Sequence, residues 1–307
     1  MSQSEKKISK NYADASSPDV SDSEESPDES VQQYDDDNAS FLATIVDGSS
    51  FRYLIEYLNL SSSVGSFIFT KNYITYQEKA QDGIIFNDLV IKNYNLTDYQ
   101  FESKNDKIVC TLSLADLRNK TKSVAKKEQM VIYRLKDESK NFYIQVKSQE
   151  KGDSNNPMTG CMDMISSPII TYDFPVYSRW KKNPNCTVAQ TDFNRLFKSI
   201  ISNKCNLVQF IVYDKALVIN GLGSNNKIAI SKEYGKKSNK HIEVFLFDKT
   251  IIKSLSKING FSGAAGTIKF YAEPQLNSKN SQNPLKLTVP VGTFGKINIY
   301  LSSCSLN

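Results

Sequence analysis

The sequence predicts an α+β protein made of two similar domains, in which helices cover one face of antiparallel sheets. Two observations support this fold class. Four segments carry apolar residues at helical spacing, and the segments between them alternate apolar and polar residues as half-buried strands do. The order strand, helix, strands, strand, helix, strands then occurs twice along the 307 residues. These two occurrences indicate an internal duplication of architecture without obvious sequence identity.

Composition divides the chain into a tail and a body. Residues 1–40 contain 11 Asp or Glu, 3 Lys and almost no large aliphatic side chains, so we expect a disordered acidic tail of net charge −8. The remaining residues carry 35 Lys or Arg against 22 Asp or Glu, a net charge of +13. This asymmetry is typical of proteins that bind polyanions such as nucleic acid. A generic Lys-rich soluble domain is the alternative.

The expected elements follow from local patterns. The strand FLATIV (41–46) opens the first half, and two alternating strands within NPLKLTVPVGTFGKINIYL (283–301) close the second. Between the halves, residues 147–180 contain three prolines and no sustained period, which is typical of a boundary. We therefore predict a first domain over residues 41–160, a linker over 161–180 and a second domain over 181–307. The four expected helices span residues 49–60, 113–128, 190–204 and 249–260.

The outward faces of the second, third and fourth expected helices are basic with no intervening acid, whereas the first face is mixed. Any one of these faces could be an ordinary solvated surface. Three of them in a duplicated fold favour one shared electropositive surface. Lys and Arg on helices, without a cluster of base-reading or stacking side chains, suit sequence-independent contact with phosphates. The predicted DNA-binding residues are Arg52, Arg118, Lys122, Lys126, Arg195, Lys198, Lys204, Lys253 and Lys257.

Little in the sequence suits catalysis. The one histidine, His241, lies beside Lys240 and Glu243 and reads as a surface residue. P-loop, H-E-x-x-H and G-x-S-x-G motifs are absent, and GLGSNN (221–226) lacks the third glycine of a dinucleotide fingerprint. The five cysteines form no C-x-x-C pair, which argues against a zinc site and for a reducing intracellular compartment. We expect no enzyme activity, catalytic residue, metal, cofactor or membrane span.

Three stretches occur in the order and spacing of a known family. FLATIVDGSSFRYLIEYL is similar to its opening strand and helix, and TVAQTDFNRLFKSIISNKCNLVQFIVYDKALVINGLGSNNKIAIS to the start of its second domain. NPLKLTVPVGTFGKINIYL aligns with its C-terminal hairpin without a gap. Over nearly all of residues 41–307 the chain resembles the DNA sliding clamps of the proliferating cell nuclear antigen (PCNA) type. The implied architecture is the ring-forming DNA clamp fold.

The resemblance implies a homotrimeric ring whose helices line a channel around double-stranded DNA. Such a ring is a DNA polymerase processivity factor, loaded by a clamp loader, that tethers polymerase and other replication and DNA repair proteins. It implies that strand MVIYRLKD (130–137) pairs with the edge GLGSNNKIAISKE (221–233) of a neighbouring subunit. It also implies a pocket for partner peptides, although plain packing is the alternative for Ile84 and Pro284. The pocket residues are Ile84, Ile165, Pro168, Ile169, Pro284 and Tyr300.

Some features depart from the family. The acidic tail precedes the first strand, the linker is longer, and Leu301 is followed by Ser302 and Ser303 instead of Ala-Pro. Abundant Asn, Lys and Ile are typical of a large DNA virus or an AT-rich genome, which would place the protein in a nucleus or at a viral replication site. The alternative function is a monomeric clamp-fold accessory factor for a DNA polymerase or for viral transcription.

Overall fold

Helices and strands alternate along the structure, a computed structural model that describes residues 38–80, 82–148, 158–166, 183–237, 241–263, 266–273 and 283–303. Most of the predicted tail (residues 1–37) and of the predicted linker (residues 167–180) lies outside the described residues. The helices are α1 (Gly48–Ser61), α2 (Leu114–Thr121), α3 (Gln190–Ser202) and α4 (Lys249–Ser262). The strands of the first half are β1 (Ala39–Ile45), β2 (Val64–Thr70), β3 (Tyr73–Lys79), β4 (Ile85–Lys92), β5 (Asp98–Phe101), β6 (Lys107–Ser113), β7 (Glu128–Leu135), β8 (Asn141–Ser148) and β9 (Met158–Asp163). Those of the second half are β10 (Cys186–Ala189), β11 (Leu207–Tyr213), β12 (Ala216–Leu222), β13 (Ile228–Gly235), β14 (His241–Asp248), β15 (Thr267–Tyr271), β16 (Leu285–Val291) and β17 (Gly295–Leu301).

The described strands form three sheets in which neighbouring strands are antiparallel. The five-stranded sheet has the order β5-β1-β7-β8-β9, and the four-stranded sheet has the order β13-β12-β11-β14. The eight-stranded sheet, β10-β15-β16-β17-β4-β3-β2-β6, takes four strands from each half. The helices pack against these sheets, so the predicted α+β class with antiparallel sheets is confirmed.

The two halves repeat the same arrangement of strands. In the first half, β6-β2-β3-β4 and β1-β7-β8-β9 are runs of neighbours, and in the second half β14-β11-β12-β13 and β10-β15-β16-β17 are the matching runs. The short strand β5, beside β1, has no counterpart among the described strands of the second half. The duplication predicted from element order therefore extends to strand pairing.

Strands β17 and β4 join the halves into one sheet. They pair antiparallel from Gly295 opposite Ile91 to Leu301 opposite Ile85. On the face of this sheet that turns away from the hydrophobic core, a line of polar side chains crosses the joint. The Thr288 hydroxyl donates to Asn298 Oδ1 (2.8 Å), and Asn298 Nδ2 donates to Asp88 Oδ2 (3.0 Å). The C-terminal hairpin β16–β17 therefore connects the two halves.

The alternation of apolar and polar residues explains why segments such as β2 and β17 form strands with one buried face. In β2 the buried positions are Gly65, Phe67 and Phe69, and the positions between them are half-buried. In β17 the buried positions are Ile297, Ile299 and Leu301. Phe67 and Phe69 belong with the three β17 residues to one core of buried apolar residues that continues between the halves. Burial of one such side chain stabilises the fold by about 1.5–3 kcal/mol.

Two helices differ from prediction at their ends. The N-cap of α1 is Asp47, whose Oδ1 accepts from the Ser50 amide at 3.0 Å, so the helix begins at Gly48, one residue before the predicted start. Helix α2 ends at Thr121 and not at residue 128. The Thr121 hydroxyl donates to the Leu117 carbonyl at 2.9 Å, and beyond it Val124 is buried while Lys122 and Lys126 are exposed. One buried residue in this stretch is too little to hold another helical turn.

The prediction that residues 130–137 form the sheet edge that pairs with a neighbouring subunit is also wrong. Strand β7, which covers most of MVIYRLKD (130–137), pairs with β1 on one side and β8 on the other. The outer strand of this sheet is β9, which runs past the predicted domain boundary at residue 160. Sequence reasoning missed β9 because MTGCMD has one β-branched residue, Thr159, and no aromatic residue, which is a weak strand pattern. Its partner β8 positions it instead.

Candidate nucleic-acid interface and partner site

The four helices lie side by side in the order α2, α1, α4, α3 and pack on the sheets beneath them. Helices α1 and α4 meet at aromatic side chains, where the Tyr57 and Phe261 rings lie 5.3 Å apart. Gly260 permits this approach, because a Cβ there would lie 2.7 Å from Cγ of Tyr53. Helices α3 and α4 are joined by Gln190, whose Nε2 donates to the Asn259 carbonyl at 3.2 Å. The helices of both halves therefore form one continuous layer.

The amphipathic pattern of each helix decides which side chains point away from the sheets. In α4 the buried stripe includes Ile251, Leu255 and Ile258, so Lys253 and Lys257 are exposed. Asp248 fixes the start of this helix, because its Oδ1 accepts from the Thr250 and Ile251 amides. In α3 the buried stripe follows the same spacing. The stripe of α3 consists of Phe193, Leu196, Phe197 and Ile200.

Eight of the nine predicted DNA-binding side chains are exposed in the structure, and they fall into two groups. The first group is on α2 and the turn that follows it, where Lys122 is the residue after the helix and Lys126 lies beyond it. The second is on α3, α4 and the residue Lys204 that follows α3. The groups consist of Arg118, Lys122 and Lys126, and of Arg195, Lys198, Lys204, Lys253 and Lys257.

Arg52 on α1 is the exception. Its Nη1 donates to the Val124 carbonyl at 2.7 Å and to the Lys122 carbonyl at 3.3 Å, just beyond the end of α2. Its guanidinium lies 4.3 Å from the Tyr53 ring centre, and Glu56 lies 3.8 Å from its Nε. The side chain is 19% exposed. Arg52 therefore joins α1 to the end of α2, and α1 separates the two basic groups.

The layer also carries acids and one cation that sequence reasoning missed. Asp192 lies 3.8 Å from Arg195 on the same helix; the Arg195 side chain is 82% exposed and that of Asp192 is 47% exposed. An exposed pair of this kind is worth at most about 1 kcal/mol, so Arg195 stays available to a ligand. Lys120 is exposed on α2, with its alkyl chain over Gly160 of β9. Lys120 was not predicted to point outward, because it is adjacent in sequence to Thr121, which lies on the buried side of the helix.

Three of the predicted pocket residues meet at the joint between the halves. Ile84 precedes β4, Pro284 precedes β16 and Tyr300 lies in β17. The Ser302 amide donates to the Ile84 carbonyl at 2.9 Å, which extends the β17–β4 pairing to this point. Pro284 is buried, and the other two side chains are half-buried.

Beside Tyr300, the outer face of the sheet carries a row of large side chains. The Phe86 ring meets the Tyr300 ring edge-on at 5.9 Å. Lys286 lies between two aromatic rings, 5.5 Å from the centre of Tyr300 and 5.3 Å from that of Tyr271. Burial lowers the pKa of Lys286 below its usual range, and the nearby Asp88 carboxylate opposes that shift. Sequence reasoning did not select Lys286 or Phe86, because their proximity depends on the pairing of four strands.

Ile165, a fourth predicted pocket residue, does not join this group. The Ile165 amide donates to the Thr111 carbonyl of β6 at 2.8 Å, so Ile165 lies at the far edge of the eight-stranded sheet. Strands β3 and β2 separate β6 from β4, a span of roughly 14 Å at the usual spacing between strands. Pro168 and Ile169 lie outside the described residues.

Within the described ranges, no three His, Cys, Asp or Glu side chains are grouped closely enough to hold a metal ion. No helix in the same ranges has the length and apolar character needed to cross a membrane. The cysteines described there, Cys110, Cys161, Cys186 and Cys205, are free thiols. Burial raises the pKa of each of these thiols.

Among known proteins, those similar to this chain resemble it in fold and not in sequence. No protein-family model and no curated protein matches the sequence. Solved structures do match. A PCNA from Entamoeba histolytica aligns with a TM-score of 0.67 and 12% identity over 87% of this chain and 99% of its own. A PCNA2–PCNA3 complex from Sulfolobus tokodaii aligns at 0.67 and 15% identity over 85% and 98%. PCNA from Thermococcus kodakaraensis aligns at 0.64 and 12% identity over 86% and 100%.

The chain has the PCNA-type sliding-clamp fold. The alignments cover nearly the whole of each compared chain, so both halves of this protein together correspond to one PCNA chain. At 12–15% identity the likeness extends to the fold, and the roles of individual residues have to be argued from their own contacts in this clamp fold.

Proposed function

We propose that the protein is a DNA polymerase processivity factor, a sliding clamp whose copies close into a ring around duplex DNA and tether replication and repair enzymes. The observation that carries this proposal is the helix layer, which exposes eight of the nine predicted cations in two groups. Lys and Arg presented in this way contact phosphates without reading bases. Such contacts are independent of sequence and sensitive to salt, and they allow movement along a duplex.

Three copies would form the ring, as the resemblance to PCNA implies. Supporting this assembly, strands β9 and β13 end their sheets, and no described strand pairs with their outer edges. Long unpaired edges favour association with other strands. A closed ring would cover both edges in each copy.

Tethering requires no chemistry from the clamp itself. A polymerase held on a ring cannot diffuse away from the DNA, so each release is followed by rebinding at a high effective concentration. The group formed by Ile84, Pro284 and Tyr300 is the proposed site for short partner peptides with aromatic anchors. A clamp loader would open the ring on DNA, in a nucleus or at a viral replication site.

Retention on circular DNA tests the proposal. Protein mixed with a closed plasmid is separated by gel filtration in roughly 0.5 M salt, where screening suppresses phosphate contacts. A topological ring should stay on the circle and leave after a restriction enzyme linearises it. The native mass should equal three times 34.6 kDa. A single-chain mass with no retention would contradict the ring and favour the monomeric accessory factor.

A further inference from the structure

Two tyrosines on the outer surface of the first half are unusually exposed. Tyr94 is 73% exposed and Tyr73 is 42% exposed. Every other Phe and Tyr side chain in the described ranges is buried or half-buried. Because large aromatic rings are normally covered, two exposed rings at one place on the surface indicate a site that binds something.

Strand pairing brings these two rings to the same cation. Tyr73 is the first residue of β3, and it lies directly opposite Lys92, the last residue of β4. Both point to the outer face of the eight-stranded sheet, because Ile74 and Ile91 beside them are buried. Two residues beyond Lys92, the Tyr94 ring centre lies 5.4 Å from Lys92 Nζ. Tyr73, Lys92 and Tyr94 therefore form one aromatic patch.

Hydrogen bonds fix the backbone of the aromatic patch. The Asn93 amide donates to the Asn72 carbonyl at 3.0 Å, and Asn93 Nδ2 donates to the Lys71 carbonyl at 3.4 Å. The Thr70 hydroxyl donates to the Tyr73 carbonyl at 3.0 Å, and the Tyr73 amide donates to the same hydroxyl oxygen at 3.2 Å. The two turns that carry the rings are therefore held together, so a ligand does not have to order them.

Exposed lysines lie within and around the aromatic patch. Lys107 lies opposite Thr70 on β2, the strand next to β3. On the other side of the patch, Lys296 lies opposite Val90 of β4. Asp106, next to Lys107, offsets one of the positive charges. No ion pair within the described ranges involves these four lysines, which are Lys71, Lys92, Lys107 and Lys296.

Exposed aromatic rings beside lysines have the chemistry that binds single-stranded nucleic acid. The bases of a single strand offer faces that stack on aromatic rings, and its phosphates offer negative charge to the lysines. The bases of a duplex are already stacked on one another, so a duplex would use the lysines and leave the rings in water. An apolar peptide would use the rings and leave the lysines without counter-charges. A single strand uses both.

We propose that the aromatic patch and its lysines bind single-stranded DNA, whose bases stack on Tyr73 and Tyr94 and whose phosphates contact Lys71 and Lys92. The patch lies on the sheet face that turns away from the helix layer, so it is separate from the proposed duplex site. The choice of DNA over RNA rests on the proposed function, because replication places single-stranded template next to duplex. The stacking itself does not depend on that choice.

Removal of both rings tests the proposal in the full-length chain. Tyr73→Ala/Tyr94→Ala keeps every lysine, and fluorescence anisotropy measures its affinity for a labelled oligo(dT) of about 20 nucleotides. We expect binding at least about tenfold weaker than that of the wild type. Binding to a labelled duplex should stay within about twofold of wild type, since its phosphates do not need the rings. Tyr73→Phe/Tyr94→Phe keeps both rings and should restore the single-strand affinity.

A matched control removes exposed apolar side chains elsewhere. Leu60→Ala/Ile201→Ala truncates two exposed side chains near the ends of α1 and α3, and its single-strand affinity should equal that of the wild type. If Tyr73→Ala/Tyr94→Ala loses stability in urea, Tyr94→Ala alone replaces it, because that side chain is mostly in water. An iodouracil-substituted oligonucleotide should also crosslink under ultraviolet light to a peptide that contains Tyr73 or Tyr94.

Several outcomes would overturn the proposal. Unchanged single-strand affinity in the alanine variant would assign the patch to a protein partner. An equal loss of single-strand and duplex binding would show a general effect of the substitutions. A phenylalanine variant as weak as the alanine variant would exclude stacking. Tighter binding of an RNA oligomer would overturn the choice of DNA. The plasmid test is independent, so the proposed clamp and this site can fail separately.

Neutral lysine variants test the phosphate contacts. For Lys71→Gln/Lys92→Gln, the slope of log K against log salt for oligo(dT) should become shallower by about 1.4, because each phosphate contact to a single strand contributes about 0.7. The control, Lys140→Gln/Lys215→Gln, removes exposed lysines from two other hairpin turns and should keep the wild-type slope. Equal slopes in the two variants would contradict phosphate contacts at the aromatic patch.

Discussion

At the scale of single residues, the clamp fold depends on close approaches that a side chain would block. Gly260 is the clearest case, because the Tyr53 side chain of α1 fills the space beside it. Tyr57 stands one turn further along α1, and its hydroxyl donates to Asn87 Oδ1 (2.9 Å) in a fully buried position. Burial raises the pKa of the Tyr57 phenol well above its usual range, so it remains a donor at any pH the fold tolerates. These contacts lie where the two halves meet.

We predict that Gly260→Val lowers the free energy of unfolding by about 1–3 kcal/mol, because the added carbons overlap Cβ and Cγ of Tyr53, which cannot move without α1. Urea denaturation measures the loss. The matched control is Gly223→Val, where the nearest heavy atom to an added Cβ is the Lys227 carbonyl oxygen at 4.0 Å. Equal losses in the two variants would show that α1 and α4 do not pack closely at Gly260.

At the scale of elements, the basic side chains divide into two kinds. Lys253 and Lys257 project from α4 with their charges exposed. Arg52 uses its charge within the protein, on carbonyls just beyond the end of α2. A hydrogen bond from a charged group is worth about 1.5–3 kcal/mol, so Arg52 acts mainly in stability. Side chains of the same charge on neighbouring helices therefore have different roles.

Charge reversal at Lys253 and Lys257 should weaken binding to duplex DNA uniformly across sequences. If each lysine neutralises one phosphate, the slope of log K against log salt becomes shallower by about 2. Titrations of labelled DNA at several salt concentrations measure the slope, and the native mass should not change. A variant that lost its oligomeric state would show that α4 lies at a contact between copies and not on the DNA surface.

Arg52→Lys should lower the stability of the fold without changing the salt dependence of DNA binding. A lysine keeps the charge but cannot reach both carbonyls with one planar group, so we expect a loss of about 1–2 kcal/mol in unfolding free energy. The salt slope of DNA binding should stay within error of wild type. A shallower slope without loss of stability would show that Arg52 contacts phosphate directly.

The sequence determined most of the fold at this scale, and the exceptions have physical causes. Phe193, Leu196, Phe197 and Ile200 form a stripe strong enough to predict α3 within two residues of its observed end. Strand β9 was not predicted, because pairing with β8 holds it in place and the strand propensity of its own residues is weak. The exposed cations were predictable from helical spacing. The hydrogen bonds of Arg52 to the Lys122 and Val124 carbonyls were not predictable, because they depend on where α2 ends.

At the scale of the whole molecule, one sheet crosses from one half to the other. A duplicated fold with an ordinary linker could let its halves move independently. Here β17 pairs with β4 along its whole length, and buried side chains on both strands join the common core. The separation of the proposed peptide site from the basic helix layer follows from this construction, because Tyr300 lies on the sheet face opposite the helices.

We predict that Asp88→Ala loosens this joint. Asp88 accepts from Asn298 across the joint (3.0 Å) and from Gln77 within the first half (3.1 Å), and its removal leaves both amides without that acceptor. Amide hydrogen exchange should accelerate in β17 and β4, with a loss of stability of about 1–2 kcal/mol. Gln77→Ala is the control, since it removes the bond within one half. Unchanged exchange in β17 would mean that apolar packing alone holds the joint.

The pairing of β17 with β4 also sets an order of events during synthesis. Asp88 and Asn298 are 210 residues apart, so the first half leaves the ribosome long before the strand that completes its sheet exists. Throughout that interval β4 offers an open row of amides and carbonyls to any other strand nearby. Translation speed and chaperone supply should therefore influence the yield of soluble protein more than the stability of the finished chain would suggest.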